Sequence, residues 1–562
     1  MTMSQPREPV VELQRRYGRP GTAALDRLRA VKRERGQITP ADIDAIAAEL
    51  HLPRAHLYGT ATFFEEFGMH RRGQRHVSVC AGTACFAASQ GRHIPAVERA
   101  LGISRGGCTD DGGTSLQPVY CLGYCYGGPA ALDGEQACAG PDLVDQLLGT
   151  APRRDPAIPA YSGVAQPVLL AGILGGERSW RSWPHVVREP DAARRVVTEV
   201  AASGLRGRGG AGFPVAQKWE SAATARTEGP RFLIVNGDEG DPGSYIDRLL
   251  LEGDPNRVLE GVALAGLAAH ASRGFIYVRA EYPKARDAIQ AAVIEARAAG
   301  HLGLDIAGSG HDFDVEVVEG AGSYVAGEET SLIHSMEGLR GGTLARPPFP
   351  TTSGLFGYPT VVNNVESVAT VPWIVEHGGA AYAQLGVHGE HGQRLVCVNE
   401  SFARPGVYEV PLGIPLRRIV DDLAGGLKNG RRLRSLQVGG PLGGFLAPEQ
   451  LDLPLSGPAL AAAGVSLGHA SLLGLDDTIP GRAVLKHLWR FAAAESCGTC
   501  SPCRIGSLRG LEFARRGDLP SVRQICATMH SASLCAFGPG VAQAVRSVLR
   551  VYVEELEAGA SR

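Results

Sequence analysis

The sequence lacks a charge imbalance: 56 lysines and arginines against 58 aspartates and glutamates leave a formal net charge of −2. That removes the electrostatic reason to expect nucleic acid or an anionic lipid surface as a partner. It also lacks a long apolar run. The longest clear one, "PVLLAGILGG", falls far short of the roughly 20 residues a membrane-crossing helix needs, so no direct membrane insertion is expected. The start, "MTMSQPREPVVELQRRYGRP", is charged where a signal peptide would be apolar, and the cytoplasm is the expected compartment. No compositional excess points to disorder, since 44% hydrophobic and 20% charged residues are ordinary for a globular protein. At 562 residues the chain exceeds what one hydrophobic core serves, which predicts three or four domains.

What the chain does have is clustered cysteine. Of its 12 cysteines, four lie between 80 and 125 and four between 497 and 535. In a chain without an export signal this favours metal ligation over disulfide cross-links. Cys108, Cys138, Cys397 and Cys526 are left over and read as buried small side chains.

The first set is two pairs, Cys80-x4-Cys85 and Cys121-x3-Cys125, each read as a loop after a strand ("RHVSVCAGTACF", "LQPVYCLGYCYGGPA"). Spacing alone leaves a two-iron cluster, zinc and coincidence open. Glycines 82 and 123 let backbone N–H groups approach the sulfurs, and the spacings run against zinc, whose paired ligands usually have two residues between them. The run "ITPADIDAIAAELHLPRAHLYGTATFFEEF" together with "CAGTACF" and "CLGYCYGGPA" resembles the thioredoxin-like 2Fe–2S subunit of respiratory complex I over about residues 20–150. That resemblance implies Cys80, Cys85, Cys121 and Cys125 as cluster ligands.

"SGLRGRGGAGFPVAQKW" contains Gly207-x-Gly209-x-x-Gly212, the dinucleotide fingerprint spacing. The preceding "PDAARRVVTEVAASGL" reads as a helix where the fingerprint needs a strand, so a classical Rossmann turn is not expected. A phosphate cradle still fits, with exposed backbone N–H groups and the cations Arg206, Arg208 and Lys218; the plain alternative is a flexible surface loop. Three further stretches favour the cradle: "VNGDEGDPGSYIDR" after a strand, "GAGSYVAGEETSLIHSMEGLRGG" entering a helix, and "RPPFPTTSGLFGYPTVVNNVES". Their carboxylates suit ribose hydroxyls and an adenine amino group, which need acceptors.

From about 195 to 540 these motifs, in order, resemble the NADH- and FMN-binding subunit of complex I and its relatives in soluble NAD-linked formate dehydrogenases and hydrogenases. The resemblance implies an FMN site at Gly207, Arg208, Gly209, Lys218, Asn236, Asp238, Tyr324, Gly327, Glu328, Asn363 and Asn364. It places NAD(H) near Phe213 and Phe349, with Asp241, Tyr324 and Glu329 around its ribose and adenine. The complex I pattern has Ala and Glu where Gly237 and Asp241 stand here, and often Cys at Ala326. "GDEGDPGS" lies closer to the formate dehydrogenase relatives.

The second set, "ESCGTCSPCRIG", holds Cys497, Cys500 and Cys503, one short of four ligands; Cys535 in "SASLCAFGPG" completes it. Three closely spaced thiolates plus a remote one suit a 4Fe–4S cube, whereas zinc prefers two pairs. Cys526 is a rival without the family context, and Arg504 and a helix starting here would offset cluster charge.

The expected fold is α/β multidomain: a helical segment over 1–74, the thioredoxin-like domain over 75–150, a linker over 151–164, an FMN- and NADH-binding Rossmann-like domain over 165–378, a small soluble-ligand-binding β-grasp-like domain over 379–470, and a helical 4Fe–4S domain over 471–562. The resemblance implies a diaphorase subunit in which a flavin takes hydride from NADH and passes single electrons to the clusters, with no side chain needed as acid or base. Nothing resembles a molybdopterin or nickel site, so the chain is expected to work with other iron–sulfur and formate- or hydrogen-oxidising subunits. A formate dehydrogenase is favoured, then a bidirectional hydrogenase, then a fused complex I subunit. The rival of a different class is a non-catalytic zinc scaffold.

Overall fold

The computed structural model describes residues 22–560, so the charged start read above lies outside the described residues. Three helices come first, Thr22–Arg35, Pro40–Glu49 and Arg54–Phe63. The second starts where the sequence marks it. Thr39 accepts from the Asp42 N–H, Asp42 reaches back to the Thr39 N–H, and Pro40 takes the first turn, where no N–H is required. Arg29 ties this arm to the centre of the molecule by donating to Glu66 and to the Gly320 carbonyl.

A mixed four-stranded sheet follows, in the order Thr114–Val119, Arg75–Cys80, Ala130–Asp133, Gln136–Ala139. The alternation in "RHVSVC" buries Val77 and Val79 together with Cys80. The reading of both cysteine pairs as loop residues needs correction: Cys80 ends a strand and Cys85 lies in the helix Thr83–Ser89, while Cys121 and Cys125 do lie on the loop after Thr114–Val119. Of the leftover cysteines, Cys138, Cys397 and Cys526 are buried, but Cys108 is only half-buried.

The central sheet is parallel throughout, in the order Asp314–Glu319, Arg273–Val278, Phe232–Gly237, Thr360–Asn364. Helices Pro255–Ala268 and Val365–His377 are buried along almost their whole lengths against it. They meet backbone to backbone at Gly261, where a Cβ would fall 1.9 Å from the Val368 carbonyl oxygen. Strands Phe232–Gly237 and Thr360–Asn364 run the same way, so Asn236, Asp238, Asn363 and Asn364 gather at one end of the sheet, the end where parallel α/β sheets bind ligands.

A six-stranded sheet has the order Gly444–Leu446, Leu433–Val438, Ser471–Asp476, Gln393–Val398, Gly406–Pro411, Ala160–Ser162. Two expectations change here. The stretch expected as a linker contributes the edge strand Ala160–Ser162, paired in parallel with Gly406–Pro411; a proline-rich segment with few N–H donors is tolerated at such an edge. The β-rich unit also runs past 470, because Ser471–Asp476 is a central strand. All six of its residues are buried, so it shows no polar–apolar alternation to separate it from the helical sequence that follows.

Helices Gly481–Glu495, Ser501–Arg516, Leu519–Ala532, Phe537–Val551 and Val553–Ala560 complete the described chain. Cys497 and Cys500 lie between the first two, Cys503 in the first turn of the second, and Cys535 between the third and fourth. No helix among the described residues is long and apolar enough to cross a membrane.

Candidate functional site

The glycine loop follows the helix Ala192–Ala202, as the sequence predicts, and closes on itself where the Gly207 N–H donates to the Phe213 carbonyl at 2.8 Å. Gly209 lies against Asn364: a Cβ there would stand 3.3 Å from the Asn364 Cβ. Arg208 does not extend its charge into the loop. Its guanidinium turns inward to the Tyr382 hydroxyl and the Gln393 carbonyl, 3.1 and 3.0 Å away, so what it offers the cradle is backbone. Lys218, on Val215–Ala223, donates to Glu329 at 2.8 Å and to the Val362 carbonyl at 2.9 Å. Phe213 and Phe349 are 51% and 53% exposed, unusual for phenylalanine and suited to stacking on a flat ligand.

The acidic and amide residues converge from three segments. Asn236 donates to the Gly327 carbonyl at 2.8 Å and accepts from the Asp238 N–H at 3.0 Å. Asn363 accepts from the Trp219 indole, and Asn364 donates to Asp247 at 2.7 Å. Glu328 caps the helix Glu329–Met336 and pairs with Arg346, which also binds Glu329. Glu329 is thus held by two cations, and its expected role at a ribose or adenine would compete with them. Asp241 accepts from the Tyr324 hydroxyl and from His469 Nδ1, each at 2.5 Å. Burial favours neutral His469, but the Asp241 hydrogen bond and the charges of Asp241, Asp247 and Glu239 outweigh it and raise the imidazole to about 9.

Among the described residues, Asp238 Oδ2 is a buried polar atom at this end of the sheet with no protein partner. Burial pushes the Asp238 carboxyl up to about 8. An unpartnered carboxylate oxygen at the strand ends, beside a glycine loop and exposed aromatic rings, fits a polar-tailed planar cofactor such as FMN.

Cys80, Cys85, Cys121 and Cys125 come together in the interior. Cys80 is within hydrogen-bonding reach of both Cys85 and Cys121, and Cys121 Sγ lies 3.3 Å from Cys125 Sγ. Among the described residues no three ligating side chains surround one single-ion position; the thiols touch in a chain, and a two-iron cluster held by two pairs is the group this arrangement fits. Three backbone N–H groups aim at the sulfurs, Gly123 at Cys121 (3.2 Å), Gly243 at Cys125 (3.3 Å) and Ala130 at Cys85. The second comes from the acidic loop that carries Asp238 and Asp241. Arg279 bridges the same two regions, donating to the Glu239 carbonyl at 2.7 Å and the Tyr120 carbonyl at 3.3 Å.

The second cysteine set meets around the start of Ser501–Arg516, where Cys503 lies in electrostatic range of Cys500 and Cys535, and Cys535 of Cys497. Thr343 hydrogen-bonds Cys535, and Arg340 donates to the Cys497 carbonyl at 2.5 Å. Tyr324 links this set to the pocket. Its ring packs on Phe491 and Phe537, centroids 5.0 and 5.7 Å apart, and its N–H donates to Glu495, which burial raises to about 7. Sequence reasoning missed Arg279, Arg340, His469 and Glu495. Arg279 directly follows the strand Arg273–Val278 and Arg340 lies inside a glycine-rich motif, neither with a spacing to mark it, and Glu495 opens the cysteine motif itself. Only His469 has no local signal.

Three family models match the chain: the thioredoxin-like [2Fe-2S] ferredoxin over residues 10–141, the Nuo51 FMN-binding domain over 200–373, and the NADH-ubiquinone oxidoreductase-F iron-sulfur binding region over 483–559. The NADP-reducing hydrogenase subunit HndC of Solidesulfovibrio fructosivorans is 40% identical over 371 residues, 65% of this chain and 75% of that one. The F subunit of NADH-quinone oxidoreductase from Escherichia coli (strain K12) is 39% identical over 373 residues, 65% of this chain and 84% of that one. A chain from the crystal structure of NAD+-reducing [NiFe]-hydrogenase in the H2-reduced state superposes with a TM-score of 0.84 at 30% identity, covering 95% of this chain and 93% of its own.

Proposed function

Since the chain belongs to the family that unites the F subunit of NADH-quinone oxidoreductase with its hydrogenase counterparts, we propose that it is the nicotinamide-facing component of an NAD-dependent formate dehydrogenase. The family level is firm: an NADH-oxidising, NAD-reducing flavoprotein with FMN, one 2Fe–2S and one 4Fe–4S cluster, which sets aside the zinc scaffold. What supports the formate reading is a resemblance: Gly237 and Asp241 in "NGDEGDPGS" differ from the complex I pattern and resemble the formate dehydrogenase relatives. The hydrogenase reading comes second, supported by the nearly full-length match to the NAD+-reducing [NiFe]-hydrogenase chain. A fused complex I subunit is third, supported by the 39% identity to the F subunit of NADH-quinone oxidoreductase.

FMN, when bound, exchanges hydride with nicotinamide and single electrons with iron–sulfur clusters. In this reading Gly207 and Gly209 present backbone to its phosphate, Lys218 supplies the nearby positive charge, and Asn236, Asp238, Gly327, Asn363 and Asn364 meet its polar tail. The nicotinamide nucleotide would lie near Phe213 and Phe349, whose exposed rings would stack on it and exclude water. Cys80, Cys85, Cys121 and Cys125 hold the 2Fe–2S cluster, and Cys497, Cys500, Cys503 and Cys535 the 4Fe–4S cluster. The partners are the redox subunits that oxidise formate.

The purified protein is expected to release FMN on denaturation and to reduce ferricyanide or a viologen with NADH. Isolated with its associated subunits, it should reduce NAD+ with formate. Reduction by H2 but not by formate overturns the formate reading in favour of the hydrogenase.

A further inference from the structure

His469 joins segments that the flavin site leaves separate. A carboxylate only accepts, so the Nδ1 atom facing Asp241 carries the proton. Nε2 faces the glycine loop, 3.8 Å from where a Cβ on Gly209 would stand. Asp241 is the middle residue of the 238–244 loop, which is held there and again two residues on. At its centre Tyr324 and His469 grip the Asp241 carboxylate from opposite oxygens; beyond Pro242 the Gly243 N–H donates to Cys125 Sγ at 3.3 Å.

The glycines flanking Asp241 leave the loop little slack. A Cβ on Gly240 would come within 3.0 Å of the Tyr324 ring, and one on Gly243 within 2.7 Å of Leu473 and 3.1 Å of the Ser471 Cβ. Gly243 also holds a φ of +115°, which a side chain would strain. His469 and Ser471 therefore back the loop together, the first by a hydrogen bond and the second by contact.

We propose that His469 is a positioning residue that couples the nucleotide side of the pocket to the 2Fe–2S cluster. By holding Asp241 on Tyr324 it fixes the 238–244 loop, and with it the N–H···S hydrogen bond from Gly243 to Cys125. A donor on a ligating sulfur stabilises the more negative, reduced cluster and so raises its potential. Releasing the loop weakens that bond and lowers the potential. The inference rests on the cysteine assignment of the proposed function and is independent of which enzyme the chain serves.

The test uses the holoprotein with both clusters, poised with dithionite and redox mediators so that no nicotinamide reaction is needed. EPR redox titration gives each cluster's midpoint, and pulsed EPR reads the exchangeable proton coupled to the 2Fe–2S cluster. His469→Ala is expected to lower the 2Fe–2S midpoint and weaken that coupling while leaving the 4Fe–4S midpoint in place. His469→Asn, whose amide keeps a donor near the Nδ1 position, should restore most of both, and Asp241→Ala, which removes the acceptor, should reproduce the loss. If His469→Ala and Asp241→Ala both keep the parent's midpoint and coupling, or if both clusters shift together, the proposal is overturned. Should His469→Ala lose its clusters during purification, Asp241→Ala decides alone. A parent protein with no 2Fe–2S signal would instead defeat the ligand assignment, an outcome distinct from an unmoved signal.

Discussion

The two cysteine sets differ in what surrounds them. Cys80, Cys85, Cys121 and Cys125 are at most 1% exposed, and a loop of the flavin region lies on them. In the other set Cys500 and Cys535 are only partly buried. Around them Ile505, Leu508 and Leu534 are 52%, 58% and 41% exposed, a concentration of surface apolar side chains. One set is sealed against the pocket and the other lies under the surface. With a 4Fe–4S cluster bound, the second set would be the one nearer to a docked protein, and the sealed first set would be the one farther from it.

The comparison breaks most completely at the ligands. Cys535→Ser is expected to abolish the 4Fe–4S EPR signal while sparing the 2Fe–2S signal, and Cys121→Ser to do the reverse, with iron content falling accordingly. Loss of both signals from either substitution would mean the two sets are not independent. The next effect needs no mutation. If burial protects the first set, a chelator added under mild oxidation should strip iron from the 4Fe–4S cluster at least about ten times faster than from the 2Fe–2S cluster, as followed by the decay of each EPR signal. Equal rates would remove the distinction between sealed and exposed.

A smaller effect separates the pocket from both sets. Phe349 is more than half exposed and packs on little of the protein, so its value lies in the ligand. Stacking of a base on an aromatic ring is worth about 1–3 kcal/mol by alanine substitution. Phe349→Ala should therefore raise the KM for NADH about ten-fold or more, with both cluster spectra unchanged. An unaltered KM would place the nucleotide elsewhere.

The same contrast marks what was legible in the sequence. Cysteine spacing carries ligand chemistry, although at the first set it left zinc and coincidence open until the family resemblance was added, and the runs "RFLIVNGD" and "GFIYVRAE" carry strand character, so the second cluster and the central sheet could be read directly. His469 could not: its carboxylate partner is 228 residues away, and neither neighbourhood announces the other. Glu495 meets Tyr324 across 171 residues, and Arg340 meets Cys497 across 157. Arg208 misled for a related reason. A cation in a glycine loop reads as a phosphate ligand until the fold shows Tyr382 and Gln393 behind it. Local chemistry was visible, whereas the contacts that join the pocket to each cysteine set arise only from folding.

The smallest effect is a pH slope in flavin-free protein, and Asp238 fixes its sign. Burial raises this carboxyl from its ordinary 3.8 to about 8, with Arg279 opposing and the charges of Glu281 and Glu495 reinforcing the rise. Between those values the folded protein keeps a proton that the unfolded chain has given up. Stability at this group is therefore greatest below the unfolded value and declines as pH rises, by up to about 1.4 kcal/mol per pH unit, until the folded carboxyl ionises near 8. Asp238→Asn removes the titration and should flatten the profile of Tm against pH between 5 and 8. FMN should flatten it too if its hydroxyls satisfy the unpartnered Oδ2, because a donor to the carboxylate favours the charged form. A slope that survives both changes would assign the titration to other buried groups and leave Asp238 outside the flavin site.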